Sequence, residues 1–197
     1  MTRLIYLSHP EVAVDAAIAV TEWGLSDLGR ARVQALARAW PLKPVRIITS
    51  PERKARETAA ILAAHLGLAV EVADDTGEVD RSSTGYVPRD RHEALADALF
   101  AHPGVSAAGW ETALAAQTRM VGALSRLLAG HQGDLLMVGH GGVGSLLWCH
   151  LAGHPIARTE DQPGQGHYWQ ALLSRDGPMP LHPWQRLERL ADTGHGC

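Results

Sequence analysis

Two short apolar runs in this chain each close on a histidine: Leu4-Ile5-Tyr6-Leu7 leads through Ser8 to His9, and Leu135-Leu136-Met137-Val138-Gly139 leads to His140. Runs of this length read as buried strands, and a side chain placed just after such a strand is delivered to the carboxyl edge of a sheet. That edge is where open α/β sheets bind ligands. Two imidazoles paired there point to phosphoryl chemistry.

The rest of the chain keeps the alternation going. Ser26 can cap a helix from about Asp27 to Trp40, with Leu28, Ala31, Ala35, Leu36 and Ala39 along one face and Pro41 and Pro44 beyond its end. Val45 to Thr49 reads as the second strand. Ser50-Pro51-Glu52 then reads as a helix start, with a capping hydroxyl, a proline at the first helical position and an acid near the positive end of the dipole. That helix is expected to stop at Gly67. Residues 69–73 alternate like a strand, 74–90 form a polar loop of functional character, and helices follow at 91–101 and 111–129. A strand over 134–139, a glycine turn, a helix over 142–151, the loop 161–166 and a strand from His167 to Leu173 complete the reading. The expected fold is a single domain spanning 1–197, a three-layer α/β/α sandwich with a mixed, mainly parallel sheet.

Composition sets few further limits. With 197 residues, 46% hydrophobic content and a net charge of -3, the chain can bury one core and shows no bias toward nucleic acid or a membrane. Cys149 and Cys197 are far apart, which argues against a disulfide framework and for a reducing, cytoplasmic setting. Residues 11–20 lack a basic leader and are broken by Glu11 and Asp15, so no secretory signal is expected. His150 and His154 have a metal-like spacing, but Gly153 and Pro155 should end the helix between them, and no metal is expected there. His195 and Cys197 fall in a polar tail expected to be disordered. Trp148 reads as core. Trp110, Tyr168, Trp169 and Trp184 read as core residues or as the lining of a substrate mouth. Oligomeric state is left open.

Four strings occur in one order: Ile5-Tyr6-Leu7-Ser8-His9-Pro10-Glu11, Leu25-Ser26-Asp27-Leu28-Gly29-Arg30, the run from Thr49 to Ala59, and Met137-Val138-Gly139-His140-Gly141-Gly142. Together they resemble the histidine phosphatase (phosphoglycerate-mutase-like) superfamily. The resemblance implies a phosphomonoester hydrolase for a phosphorylated small-molecule substrate, working without metal or cofactor. His9 would be the nucleophile and carry a phosphohistidine, neutral at the attacking nitrogen and held at the other by a backbone carbonyl. His140 would stabilise the phosphoryl oxygens. An acid after the third strand would serve the leaving oxygen, with Glu78 the candidate by position and Asp80 behind it.

The chain also departs from the family pattern. The usual Arg-His-Gly is Ser8-His9-Pro10, so one phosphate-gripping guanidinium is missing, and the second family arginine aligns with Lys54, which keeps charge but loses the planar fork. Arg81, in the loop after Glu78, is the proposed replacement, with Ser82 or Ser8 as neutral donors. Pro10 withdraws a backbone N–H and biases His9 toward extended backbone. These changes leave a second reading, a phospholigand-binding or interaction protein of weakened turnover. A mutase reaction is less favoured, because the insertion that mutases of the family carry before the second histidine is short here.

Overall fold

The computed structural model describes residues 2–175 and 177–195, so Cys197 lies outside the described residues. The strands are β1 (Thr2–Ser8), β2 (Arg46–Thr49), β3 (Val70–Val72), β4 (Leu135–Gly139), β5 (His167–Ser174) and β6 (Gly177–Arg186). They form one sheet in the order β3-β2-β4-β1-β5-β6. The first four are mutually parallel, β5 runs antiparallel to β1, and β6 antiparallel to β5. The mixed, mainly parallel sheet expected from the alternation is present. Strand β6 was not among the expected elements; it carries Pro178, Pro180 and Pro183, which are tolerated at the edge of a sheet, where half the backbone N–H groups need no partner.

Side chains alternate across the sheet and build two cores. Ile5, Leu7, Ile47, Leu136, Val138 and Tyr168 face helices α1 (Asp27–Arg38) and α2 (Arg53–Leu66), through Val33, Leu36, Ala55, Ala59 and Leu62. Leu4, Tyr6, Ile48, Leu135, Met137 and Trp169 face α3 (Arg89–Ala101), α4 (Ala113–Leu128) and α5 (Gly141–Ala152), through Leu99, Met120, Val143 and Leu146. Burial on both faces explains why the central strands read as continuous apolar runs. Tyr168, Trp169 and Trp110 are core residues, and Trp184 packs against the second core. Trp148 is buried as well.

Helix boundaries follow the expected signals with one informative shift. Ser26 caps α1, accepting the Gly29 N–H, and Gly67 ends α2 at φ 68°. Helix α2, however, begins only at Arg53, with Glu52 at the N-cap and no side-chain cap. Ser50 is therefore not its cap. The serine hydroxyl is directed instead at His140. A 3-10 helix, Leu187–His195, follows β6.

Candidate active site

Register places the two histidines. Strands β1 and β4 are neighbours with Ser8 opposite Gly139, so the next residue of each chain segment emerges at the same level of the carboxyl edge. The His9 N–H donates to the Gly139 carbonyl at 2.9 Å, and the two imidazole centroids are 5.3 Å apart with their planes at 70°. Nδ1 of His9 lies 2.8 Å from the Pro10 carbonyl oxygen. Because a carbonyl can only accept, Nδ1 carries the proton and Nε2 presents a lone pair. Burial, followed by His140 and Lys54, pushes the His9 pKa down to about 3. The ring is neutral at any ordinary pH.

His140 is fully buried. The Tyr6 hydroxyl brackets its backbone, donating to the His140 carbonyl at 3.0 Å and accepting its N–H at 3.1 Å. Nε2 of its ring lies 2.6 Å from the Ser50 hydroxyl and 3.6 Å from the Glu52 carboxylate. Glu52 is the hub of this side of the site: Oε1 accepts the Glu78 N–H at 2.8 Å, and Oε2 pairs with Lys54. Lys54 is 3% exposed and also donates to the Val20 carbonyl at 2.9 Å. Burial works to raise the Glu52 pKa, but His140, Lys54 and the Glu78 N–H more than offset it and bring it to about 2. Lys54 thus reaches the site with its charge already matched.

Glu78 is brought to His140, and Asp80 is not. The Glu78 carboxylate accepts the Gly142 N–H at 3.1 Å and the Val143 N–H at 2.9 Å, occupying the N-terminus of α5. Burial raises its pKa, but His140, Arg81 and the Val79 N–H together leave it lowered. Gly142 is required by this arrangement, since a β-carbon there would stand 2.7 Å from Glu78 Oε1. Asp80 is exposed and accepts the Ser82 N–H.

The remaining expected phosphate ligands are distributed unevenly. Arg81 lies over the Trp110 ring, 5.6 Å from its centroid, with Nη1 against His92, and is close enough to shift both Glu78 and His140. Ser82 sits on the exposed rim. Ser8 is buried, and its hydroxyl is consumed by β5, donating to the His167 carbonyl at 3.1 Å and accepting the His167 N–H at 3.0 Å. Arg53 pairs with Glu57 and Arg56 is exposed, so Lys54 is the cation that α2 contributes. His154 faces Glu160, and no group of three potential metal ligands occurs among the described residues.

The loop before β5 spans from one histidine to the other. The Gly166 N–H donates to the His9 carbonyl at 3.0 Å, while the Gln162 carboxamide lies against Gly141, where only a glycine leaves room for it. Asp161 anchors the loop to Ser145 of α5 at 2.8 Å. Ser50, Glu52, Tyr6 and Gln162 were not singled out in the sequence. Glu52 reads there as a helix-start acid and Tyr6 as part of an apolar run; neither has a local signal of its role.

A model of the histidine phosphatase superfamily (branch 1) matches residues 11–179. No curated protein matches the sequence. Among solved structures, a mycobacterial glucosyl-3-phosphoglycerate phosphatase superposes with a TM-score of 0.77 at 20% identity, covering 94% of this chain and 99% of that one. A mutant phosphoserine phosphatase from Entamoeba histolytica, in complex with phosphoserine, gives 0.78 at 14% identity over 93% and 96% of the two chains. A putative alpha-ribazole-5'-P phosphatase from Escherichia coli gives 0.71 at 19% identity over 94% and 97%.

Proposed function

Because the chain belongs to the histidine phosphatase superfamily, we propose that it hydrolyses phosphomonoesters of small molecules through a phosphohistidine on His9. The observation that carries this reading is the Nδ1 contact of His9 with the Pro10 carbonyl, which fixes the tautomer that a nucleophile needs and that a mere anion site does not. Nε2 attacks phosphorus, the bond to the alcohol oxygen breaks, and Glu78 supplies that oxygen with a proton. Arrival of a negative phosphoryl group beside Glu78 raises its proton affinity and equips it for this step. Water, relieved of a proton by Glu78, then hydrolyses the phosphohistidine. His140 as a neutral N–H donor, with Lys54 and Arg81 as cations, stabilises the phosphoryl oxygens. The names of the proteins of similar fold support a small phosphorylated substrate. Among the described residues no helix is long and apolar enough to cross a membrane, and a cytoplasmic location is part of the proposal.

One observation favours the phospholigand-binding alternative: with both imidazoles neutral, Lys54 and Arg81 are matched by Glu52 and Glu78, so the site has no surplus positive charge to drive turnover. Hydrolysis of an aryl phosphate by the wild type and by His9→Ala, with a chelator present, decides between them. Turnover lost in the variant supports the phosphatase. A folded wild type that binds inorganic phosphate and turns over neither the aryl ester nor a panel of small phosphomonoesters supports the binder.

A further inference from the structure

The hydrogen-bond geometry around His140 points to Ser50 as a positioning residue: we infer that its hydroxyl holds His140 in the Nδ1–H tautomer and so makes it a neutral N–H donor toward the ligand. A hydroxyl has one proton to give and accepts with its lone pairs. Ser50 Oγ already accepts the Glu52 N–H at 3.3 Å, and the acceptor within its reach is His140 Nε2 at 2.6 Å. Both residues are 0% exposed, so bulk solvent does not compete for these bonds. The serine proton therefore goes to Nε2, which must be unprotonated. In a neutral imidazole the ring proton then resides on Nδ1.

Among the described residues Nδ1 of this ring finds no partner, although it is buried. A buried donor without an acceptor is unfavourable by itself and favourable once a phosphoryl oxygen fills the place beside His9. The opposite tautomer would fail twice. It would strand the Ser50 proton and set an Nδ1 lone pair against the lone pairs of a phosphoryl oxygen. Burial also lowers the His140 pKa, against Glu52 and Glu78, which raise it, and with Lys54 and Arg81, which lower it further. The backbone holds the serine in place, its N–H donating to the Val138 carbonyl at 3.3 Å. This accounts for the displaced start of α2: Ser50 serves the histidine, and the helix begins without it.

The tautomer is a property of the free protein, whereas its value in turnover rests on the phosphatase reading. The test is nitrogen-15 spectroscopy of the histidine side chains at pH 7.5. The expected wild-type signature for His140 is a protonated Nδ1 and a pyridine-type Nε2; a protonated Nε2, or an imidazolium, overturns the inference. In Ser50→Ala the proton should move to Nε2, where Glu52 Oε1 at 3.6 Å is the remaining acceptor. kcat should fall about ten- to a hundredfold with KM less affected, the loss of one well-placed donor. Ser50→Thr, which keeps the hydroxyl, should restore both signature and rate. An unchanged tautomer and rate in Ser50→Ala would also overturn it. The wild-type spectrum decides even if a variant does not fold. An Nδ1–H signature in a protein without turnover would sink the phosphatase and leave the serine lock standing.

Discussion

Replacing Glu52 with glutamine should strengthen binding of an anion to this site, although the residue supports several of its neighbours. The carboxylate is 3.6 Å from His140 Nε2. A phosphoryl oxygen accepting a hydrogen bond from the far ring nitrogen would then lie about 7 Å from it. Two unit charges at that separation repel by roughly 2 kcal/mol at an effective dielectric of about 20. Removing the charge also leaves Lys54 unmatched, while an amide oxygen still offers an acceptor to Lys54 or to the Glu78 N–H. The expected result is about thirtyfold tighter binding of inorganic phosphate or vanadate, measured by titration calorimetry at pH 7. Because Glu52 is buried, the gain should persist at high salt. Equal or weaker binding by a folded variant would refute the reasoning, and would mean that Glu52 acts by orienting Lys54 rather than by opposing the anion.

Further outcomes follow from the same geometry. With its pKa near 3, His9 remains a nucleophile under mild acid: single-turnover phosphorylation should be nearly as fast at pH 5 as at pH 7, whereas an ordinary imidazole would slow about thirtyfold. Glu52 is held near 2 against an ordinary 4.5, so the unfolded chain binds the extra proton between those values. Its contribution to stability is complete above about pH 4.5 and is lost as pH falls toward 2. Between pH 6 and pH 3 the stability advantage of wild type over Glu52→Gln should therefore shrink by about 2 kcal/mol in urea titrations. Gly142→Ala puts a β-carbon 2.7 Å from Glu78 Oε1, and should reduce turnover at least tenfold by displacing the carboxylate while leaving phosphate affinity nearly unchanged. Arg81→Ala should weaken phosphate binding about tenfold or more; full affinity in the variant would remove Arg81 from the site.

The sequence carried the parts of this architecture that are repeated along the chain. Buried strands show as apolar runs, helix ends as Ser26 and Gly67, and the edge position of each histidine as the residue after its strand. Contacts between distant segments have no such trace. Glu52 and Ser50 sit just ahead of a helix, where a capping function explains both, and the β2–β4 pairing brings them to His140. Strand β6 is hard to read for another reason: its three prolines do not suit a central strand, and nothing local marks it as an edge strand. Ser8 was a reasonable neutral donor on position alone, yet the partner that consumes its hydroxyl is the backbone of His167, 159 residues away.

Ser8-His9-Pro10, standing where the resemblance implies Arg-His-Gly, forms a corner built with neutral bonds. Pro10 gives up an N–H, but its carbonyl accepts the His9 Nδ1 proton, and a proline keeps the preceding residue extended. His9 in turn spends its N–H on Gly139 and its carbonyl on Gly166. Ser8 joins the same corner to β5 through two hydrogen bonds with His167, at 0% exposure. In the proposed reaction, charge for the phosphate comes instead from Lys54 on α2 and Arg81 in the loop after β3. Reinstating the motif arginine by Ser8→Arg should consequently harm the protein. Two buried backbone groups of His167 would lose their partner and a guanidinium would enter a filled position, a destabilisation of about 2–4 kcal/mol. Urea denaturation and kcat/KM for an aryl phosphate check this together. A rise in kcat/KM without loss of stability would mean that the corner has room for the arginine, and that the missing guanidinium, rather than the neutral lattice around His9, governs what this site can do.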